Sequence, residues 1–154
     1  MSESSYRVAI EKAAARPLAA VRARLRVERV PLEFRRYLDQ VYELSRTGTI
    51  QLDGQNVFVY RPSTDGTMDV DFGVGVTSSF DPAGAVVWTQ TPAGAVATAT
   101  HRGSYAALGA AHEAVKDWCR DHGRRLAGPR WEVYGHWTDD VSQLRTDVYY
   151  LLEE

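Results

Sequence analysis

The sequence feature that most constrains the fold is an internal repeat within the 154 residues. Residues 52–60 and 126–134 share Leu, Gly, Val and Tyr at an offset of 74 positions. After a turn that is two residues longer in the second copy, the match resumes at an offset of 76, where Asp71 falls on Asp147. A repeat of this length indicates one supersecondary unit that occurs twice and buries its apolar surface against its copy. The sequence therefore predicts two similar halves.

The first half predicts a strand, a helix and a hairpin. Apolar and arginine residues alternate over Leu18–Val27, as in a half-buried strand. Pro31 suits the first turn of a helix, and apolar residues then recur with helical spacing as far as a stop at Gly48. The hairpin joins Val57–Arg61 to Met68–Val76 through a turn rich in Pro, Asp and Gly.

The second half predicts the same order of elements. They are a strand over Ala95–His101, a helix from Ser104 to a stop at Gly123, and a hairpin of Arg130–Trp137 and Arg145–Leu152. The region that joins the halves holds a shorter strand candidate, Val86–Gln90. Two βαββ units give an α+β fold, in which both helices cover one face of an antiparallel sheet and the other face stays open. The expected division is an N-terminal segment over 1–15 and a single domain over 16–154, with repeats at about 16–79 and 92–154.

Strand alternation divides the hairpin residues between the two faces of this sheet. The set expected to pack under the helices is apolar: Val57, Val59, Val70, Phe72, Val74, Trp131, Val133, Val148, Tyr150 and Leu152. The set expected on the open face is Phe58, Tyr60, Asp69, Asp71, Gly73, Glu132, Tyr134, Asp147 and Tyr149. Because the second set combines aromatic rings with carboxylates, it predicts a central cleft for a flat apolar ligand.

Glu132 is the most informative member of that set, because it stands among aromatic residues. Aromatic rings and a carboxylate both attract a cation. The alternative is a surface glutamate that pairs with Arg130 or with a neighbouring strand. Both interpretations follow from the residues alone.

Composition narrows the function. A net charge of −2 and a pI of about 6.1 argue against a nucleic-acid binder. The single cysteine excludes an intrachain disulfide, and the four histidines lack a ligand pattern, so we expect no metal and no cofactor. The first residues lack a secretory signal, and the longest uncharged run, Pro82–His101, is interrupted by Pro, Gly and Gln. These features predict a cytoplasmic domain that does not insert into membranes.

Five motifs resemble the GyrI-like family, the small-molecule-binding domain that also serves as the effector domain of some MerR- and AraC-type regulators. They lie at 92–94, 101–105, Trp118, 128–134 and 146–149. The resemblance implies a duplicated βαββ fold with a central cleft for bulky, planar, often cationic compounds. It places the family's glutamate motif on Glu132 and Tyr134, and an aromatic of the last strand on Tyr149. With Phe58 and Tyr60, we add Trp88 and Tyr105 as candidate ligand contacts.

About 16 residues before the first family strand are too few for a helix-turn-helix, so direct DNA binding is not expected. The resemblance leaves three other functions open. The first is binding or sequestration of hydrophobic or cationic drugs and toxins. The second is hydrolysis of cyclopropane-bearing toxins, with Glu132 as base and Tyr149 or Tyr134 as acid. The third is modulation of DNA gyrase through protein contact. The residues do not indicate an oligomeric state.

Overall fold

The computed structural model describes residues 6–154. Their strands are β1 (Ala9–Ala13), β2 (Pro17–Leu25), β3 (Leu52–Pro62), β4 (Met68–Val76), β5 (Val86–Gln90), β6 (Gly94–Arg102), β7 (Leu126–Tyr134) and β8 (Arg145–Leu152). The helices are α1 (Val30–Arg46) and α2 (Leu108–Asp121). All eight strands form one antiparallel sheet in the order β1-β6-β8-β7-β3-β4-β2-β5. The predicted α+β fold, with two helices on an antiparallel sheet, is confirmed.

Both helices begin and end close to the positions that the sequence predicts. Pro31 lies in the first turn of α1, where a missing backbone N–H costs nothing, and the helix ends shortly before Gly48. The hydroxyl of Ser104 accepts a hydrogen bond from the backbone N–H of Ala106 and caps the 3₁₀ turn that leads into α2. The helix predicted to start at Pro31 is therefore confirmed. No helix within the described residues has the length and apolar character needed to cross a membrane.

The repeat is visible in the strand pairing. Leu52 pairs with Val76, and the equivalent Leu126 pairs with Leu152, before a register shift in each of β3 and β7. Gly54 and Gly128 lie at these two irregularities with φ of 88° and 118°, a conformation that residues with a Cβ rarely adopt. Equivalent glycines thus bend equivalent strands, as the aligned repeat predicts.

Each half contains one strand more than the predicted βαββ unit, and the halves exchange it. β1 precedes the first βαββ unit but pairs with β6 of the second, whereas β5 precedes the second unit and pairs with β2 of the first. β1 lies in the segment that the sequence assigned to the N-terminus and is not predicted there. The domain boundary at residue 16 stays a prediction.

The strand exchange requires the sheet to curl. In a flat sheet β1 and β2 would lie about 29 Å apart at about 4.8 Å per strand. The four peptide units from Ala13 to Pro17 span at most about 15 Å. The link between β5 and β6 bridges the same ends, and the backbone N–H of Thr91 donates to the carbonyl of Arg16 at 2.9 Å. The sheet therefore curls until its two ends approach each other.

The helix-free face lies on the inside of this curl. It carries a buried apolar cluster drawn from β2 and β6, near opposite ends of the strand order, and from the central strands: Leu18, Val57, Val59, Val96, Trp131 and Val133. Four of these residues were expected under the helices, so that part of the face assignment is wrong. No helix is needed to bury them because the curled sheet covers itself.

The other face carries the helices and also four of the nine residues expected on the open face. Phe58 lies directly opposite both Phe72 and Glu132, and directly opposed residues of an antiparallel sheet share a face. Phe58, Tyr60, Glu132 and Tyr134 therefore lie on the helix side together with Phe72. The expected separation of these residues is wrong, because the alternation pattern of one strand does not fix its register against the next.

Candidate functional site

A cleft of about 760 Å³ lies between the N-terminal ends of α1 and α2, above the central strands β3 and β7. α1 packs on β2 and β4, and α2 packs on β6 and β8, so the two middle strands are left uncovered between them. The aromatic residues that line the cleft include Phe34, Phe58, Tyr60, Tyr105, Tyr134 and Trp137. Its floor is therefore sheet and its walls are the starts of the two helices.

Glu132 projects from β7 into the floor of the cleft and is only 5% exposed. Its Oε1 accepts hydrogen bonds from the hydroxyls of Tyr134 at 2.7 Å and Tyr60 at 2.9 Å. Its Oε2 lies 2.7 Å from Nε2 of His112 on α2. The hydroxyl of Tyr150 lies 2.7 Å from the other ring nitrogen, Nδ1. Four side chains from three strands and one helix thus hold the carboxylate in one orientation.

The neutral imidazole with its proton on Nε2 satisfies this network completely. Nε2–H then donates to Glu132, and Nδ1 accepts a hydrogen bond from the hydroxyl of Tyr150. In this state the cluster carries a net charge of −1, located on the carboxylate.

The pKa values of the cluster follow from burial and from these contacts. Burial raises the pKa of Glu132. The hydrogen bond from His112, the attraction of this ring when it is protonated, and the two tyrosine hydroxyls outweigh burial, so the pKa lies below its ordinary 4.5. Burial, followed by the charge of Glu132, raises the pKa of Tyr60 and of Tyr134 well above 10. Burial raises the pKa of Tyr150 to about 12. At neutral pH Glu132 is ionised and the three tyrosines remain hydrogen-bond donors.

A continuous series of aromatic rings runs from the floor of the cleft to its mouth. The ring centroids of Phe58 and Tyr134 are 5.1 Å apart, those of Tyr134 and Tyr105 are 5.5 Å apart, and those of Tyr105 and Trp137 are 6.4 Å apart. Tyr105 is 38% exposed and Trp137 68% exposed. The outer rings therefore present apolar surface that a ligand can cover.

The structure brings together most of the ligand contacts that the sequence predicts. Five of them line the cleft: Phe58, Tyr60, Tyr105, Glu132 and Tyr134. Trp88 does not line it, and packs instead against the core cluster beneath α1. Glu132 is buried, and Arg130 does not pair with it, so the alternative of a surface glutamate paired with Arg130 is wrong.

Tyr149 lies on the opposite face of the sheet from Glu132, so the expectation that the two share a cleft is wrong. Tyr149 pairs with Trp131 across β7 and β8, and their rings stack at 5.4 Å. Since Trp131 immediately precedes Glu132, the two side chains point to opposite faces. Tyr149 cannot act on a ligand together with Glu132 in this geometry.

Sequence reasoning missed two residues of the cluster, His112 and Tyr150. The sequence shows only that the four histidines lack a ligand pattern, and Tyr150 was placed among the residues under the helices. The available signal was helical spacing, because His112 follows the buried Leu108 by four positions and therefore lies on the same side of α2. Within residues 6–154, no three His, Cys, Asp or Glu side chains cluster in a way that could hold a metal ion.

The sequence pattern of the GyrI-like small molecule binding domain matches residues 7–152. The chain belongs to the GyrI-like family. This membership, together with the cleft, assigns small-molecule binding to the domain in general terms. A comparison with curated protein sequences found no significant match.

Solved structures of other proteins share this GyrI-like fold. The C-terminal domain of EcmrR superposes with a TM-score of 0.79 at 18% identity, over 97% of this chain and 99% of that domain. In a complex of EcmrR with DNA, the chain spans 58% of the EcmrR chain. SAV2435 bound to tetraphenylphosphonium has a TM-score of 0.63 at 10% identity, over 96% and 94% of the two chains. A hydrolase from Listeria innocua has a TM-score of 0.62 at 12% identity, over 95% and 91%. At these identities the likeness concerns the fold.

Proposed function

We propose that the cleft binds bulky, apolar cations that carry planar aromatic rings, with Glu132 as their counter-charge. The observation that carries this proposal is an ionised carboxylate, 5% exposed, on the floor of a cleft walled by aromatic rings. The faces of aromatic rings attract cations through their quadrupoles. A buried carboxylate adds a Coulombic attraction that water screens only weakly.

The hydrogen bonds of Glu132 favour a role as the counter-charge of a bound cation over a role as a reactive group. Tyr60, Tyr134 and His112 already orient both oxygens, so no reorganisation is needed when a cation arrives. The fold relative SAV2435 was solved with tetraphenylphosphonium, an apolar aromatic cation, which supports the same ligand class here. Sequestration of such compounds, including toxins, is the role that this chemistry fits.

Two tetraphenyl ions of nearly the same shape and opposite charge test the proposal. We expect tetraphenylphosphonium to bind saturably and more tightly than tetraphenylborate. Glu132→Gln keeps the volume and removes the charge. Losing one partner of a desolvated charge pair costs about 2–5 kcal/mol, so the phosphonium should weaken at least about tenfold. Tetraphenylborate should bind to Glu132→Gln as tightly as to the parent protein, or more tightly.

Glu43→Gln is the matched control, because Glu43 is exposed on α1 and lies outside the cleft. It removes the same charge and should leave both affinities unchanged. Equal losses for the two ions in Glu132→Gln, or no saturable phosphonium binding to the parent protein, would refute the proposal.

A second candidate function, hydrolysis, has one observation in its favour: a buried carboxylate lies 2.7 Å from the hydroxyl of Tyr134. Glu132 would accept a proton from water, whose oxygen would attack an electrophilic cyclopropane carbon. The ring C–C bond would break, and the carbon that receives its electron pair would take a proton from Tyr134. Glu132 would then return its proton to Tyr134 across their hydrogen bond. Mass spectrometry of a cyclopropane-bearing toxin incubated with the protein tests this, since the product is one water heavier. Modulation of DNA gyrase stays a prediction.

A further inference from the structure

A second cavity of about 390 Å³ lies beside the cleft on the same face of the sheet. Tyr60, Leu108 and Glu132 line both spaces, so they form the partition between them. The charged lining differs, because the cleft has Arg35 and Glu132 whereas the second cavity has Lys116, Arg130 and Glu132. The two spaces are thus contiguous but electrostatically distinct.

Arg130 is the least satisfied charged side chain at this cavity. Its Nε is buried and has no hydrogen-bond partner among residues 6–154. Its Nη2 contacts the sulfur of Met68 at 3.6 Å, and its guanidinium lies 5.3 Å from the centre of the Tyr60 ring. A thioether is a weak acceptor, whereas a guanidinium offers five N–H donors. Arg130 therefore holds unused donors beside an accessible space.

The other charged side chains around the cavity already have hydrogen-bond or ion-pair partners. Glu132 accepts three hydrogen bonds. Lys116 lies 2.8 Å from Glu113 on the exposed side of α2 and adds a second cation at the rim. Arg130 and Lys116 outnumber Glu132 among the charged side chains that line the cavity, so its lining carries a net positive charge, which favours an anion.

The order of side chains along β7 indicates the order of chemical groups on a ligand that matches it. Tyr134, Glu132 and Arg130 are alternate residues of one strand and share a face, at about 6.8 Å for every two residues. An aromatic ring, a negative charge and a positive charge thus follow one another along the floor. A matching ligand carries an aromatic body, then a cation, then an anion.

We propose that the second cavity binds the carboxylate of an amphipathic aromatic ligand whose cationic part lies at Glu132, so that the site selects zwitterions over simple cations. This inference rests on the proposed function for the position of the cation. A carboxylate matches the planar fork of a guanidinium. Such a contact is worth about 1.5–3 kcal/mol, or roughly tenfold to a hundredfold in affinity.

The test uses rhodamine 6G, a cationic ethyl ester, and the free acid formed by hydrolysis of that ester. We expect the parent protein to bind the acid at least as tightly as the ester. Arg130→Met removes the charge and keeps most of the length of the side chain. This substitution should lower the affinity for the acid at least tenfold relative to the affinity for the ester. Arg120→Met is the matched control, because Arg120 lines neither cavity and pairs with Asp117 on the surface of α2; its acid-to-ester ratio should equal that of the parent.

The possible results separate this inference from the proposed function. Suppose that ester binding depends on Glu132 but the ratio of acid affinity to ester affinity is unchanged in Arg130→Met. The proposed role of the second cavity is then wrong, and the proposed function of the cleft stands. Absence of any rhodamine binding overturns the proposed function. In that case benzoate, which fits a cavity of this size, tests the carboxylate site by itself. Benzoate should raise the melting temperature of the parent and of Arg120→Met but not of Arg130→Met, and equal responses of all three would refute the inference.

Discussion

The Nε2 of His112 and the Oε2 of Glu132 lie 2.7 Å apart and join the second helix to the central strand of the sheet. The contact is almost fully buried and crosses the boundary between the two cavities. It therefore links the packing of α2 to the charge that the cleft presents. Each of the two residues therefore contributes both to stability and to the charge that a ligand meets.

Removing His112 should separate these two effects. His112→Phe leaves Oε2 of Glu132 without its donor, and an unsatisfied buried acceptor costs about 1–3 kcal/mol. We expect a correspondingly lower free energy of unfolding in urea. Affinity for tetraphenylphosphonium should be retained or increased, because the carboxylate is less compensated. His112→Gln, whose amide can donate to Glu132, should recover part of the stability; equal losses in Phe and Gln variants would contradict the role of the hydrogen bond.

The lowered pKa of Glu132 predicts how stability depends on acidity. A carboxyl whose pKa is lower in the folded state stabilises the fold above its unfolded value of about 4.3, and this stabilisation is lost as the pH falls through the folded value. The melting temperature of the parent should therefore fall more steeply below about pH 4 than that of Glu132→Gln. Glu43→Gln, measured over the same range, should follow the parent.

The raised pKa of Tyr150 predicts that stability falls as the pH rises in the alkaline range. Its pKa is raised to about 12 by burial, so the unfolded chain ionises first, at about pH 10. Stability should be constant below about pH 10 and fall as the pH rises towards 12, by on the order of 2 kcal/mol for this residue. In urea unfolding, the free energy of unfolding of Tyr150→Phe should decline less steeply with rising pH than that of the parent. Part of the decline should persist, because the raised pKa values of Tyr60 and Tyr134 act in the same direction. An identical slope in parent and variant would show that Tyr150 is not the group that titrates.

Trp137 should report on ligands at the mouth of the cleft. Its side chain is 68% exposed, so Trp137→Ala should change stability by less than about 0.5 kcal/mol. The loss of one aromatic contact of about 0.5–1.5 kcal/mol should weaken planar cations roughly threefold to tenfold. The tryptophan fluorescence change on rhodamine 6G binding should shrink in this variant and persist in Trp88→Phe.

Tyr149 provides a test of the face assignment. Tyr149→Ala removes a ring that stacks on Trp131 behind the sheet, so it should destabilise the fold by about 1–3 kcal/mol. Binding of tetraphenylphosphonium to the folded variant should match the parent. Tyr134→Phe removes only the hydroxyl that contacts Glu132 and should change the affinity. A loss of affinity in Tyr149→Ala at temperatures where the variant is folded would place its ring in the cleft.

The sequence predicts the repeat, both helices and the central glutamate because each has a local signature. Leu, Gly, Val and Tyr recur at fixed offsets, and Pro31 and Ser104 mark helix starts. Four of the five cleft residues, Phe58, Tyr60, Glu132 and Tyr134, were predicted together because they lie on two strands at matching positions of the repeat. Such information needs no knowledge of distant pairing.

The errors arise where pairing between distant strands decides the structure. Tyr149 was assigned to the wrong face because the register of β8 against β7 is set across a long turn. β1 was missed because its residues, Ala9–Ala13, mix charged and small side chains and are mostly exposed at the edge of the sheet. His112 was missed because its partner lies on a strand twenty positions away. In each case the residue is unremarkable by itself and acquires its role from a contact.

The exchange of β1 and β5 makes each half of the chain incomplete without the other. Ala9 pairs with Thr98 of the second half, and Val86 pairs with Val21 of the first. Loops of this length close slowly, because chain entropy must be lost before the contacts form. A chain truncated between β4 and β5 would lack the partner of β1 and expose the open edge of β2. Such an edge recruits strands from other molecules, so the truncated half should assemble or aggregate, and two separately made halves should restore the sheet only when mixed.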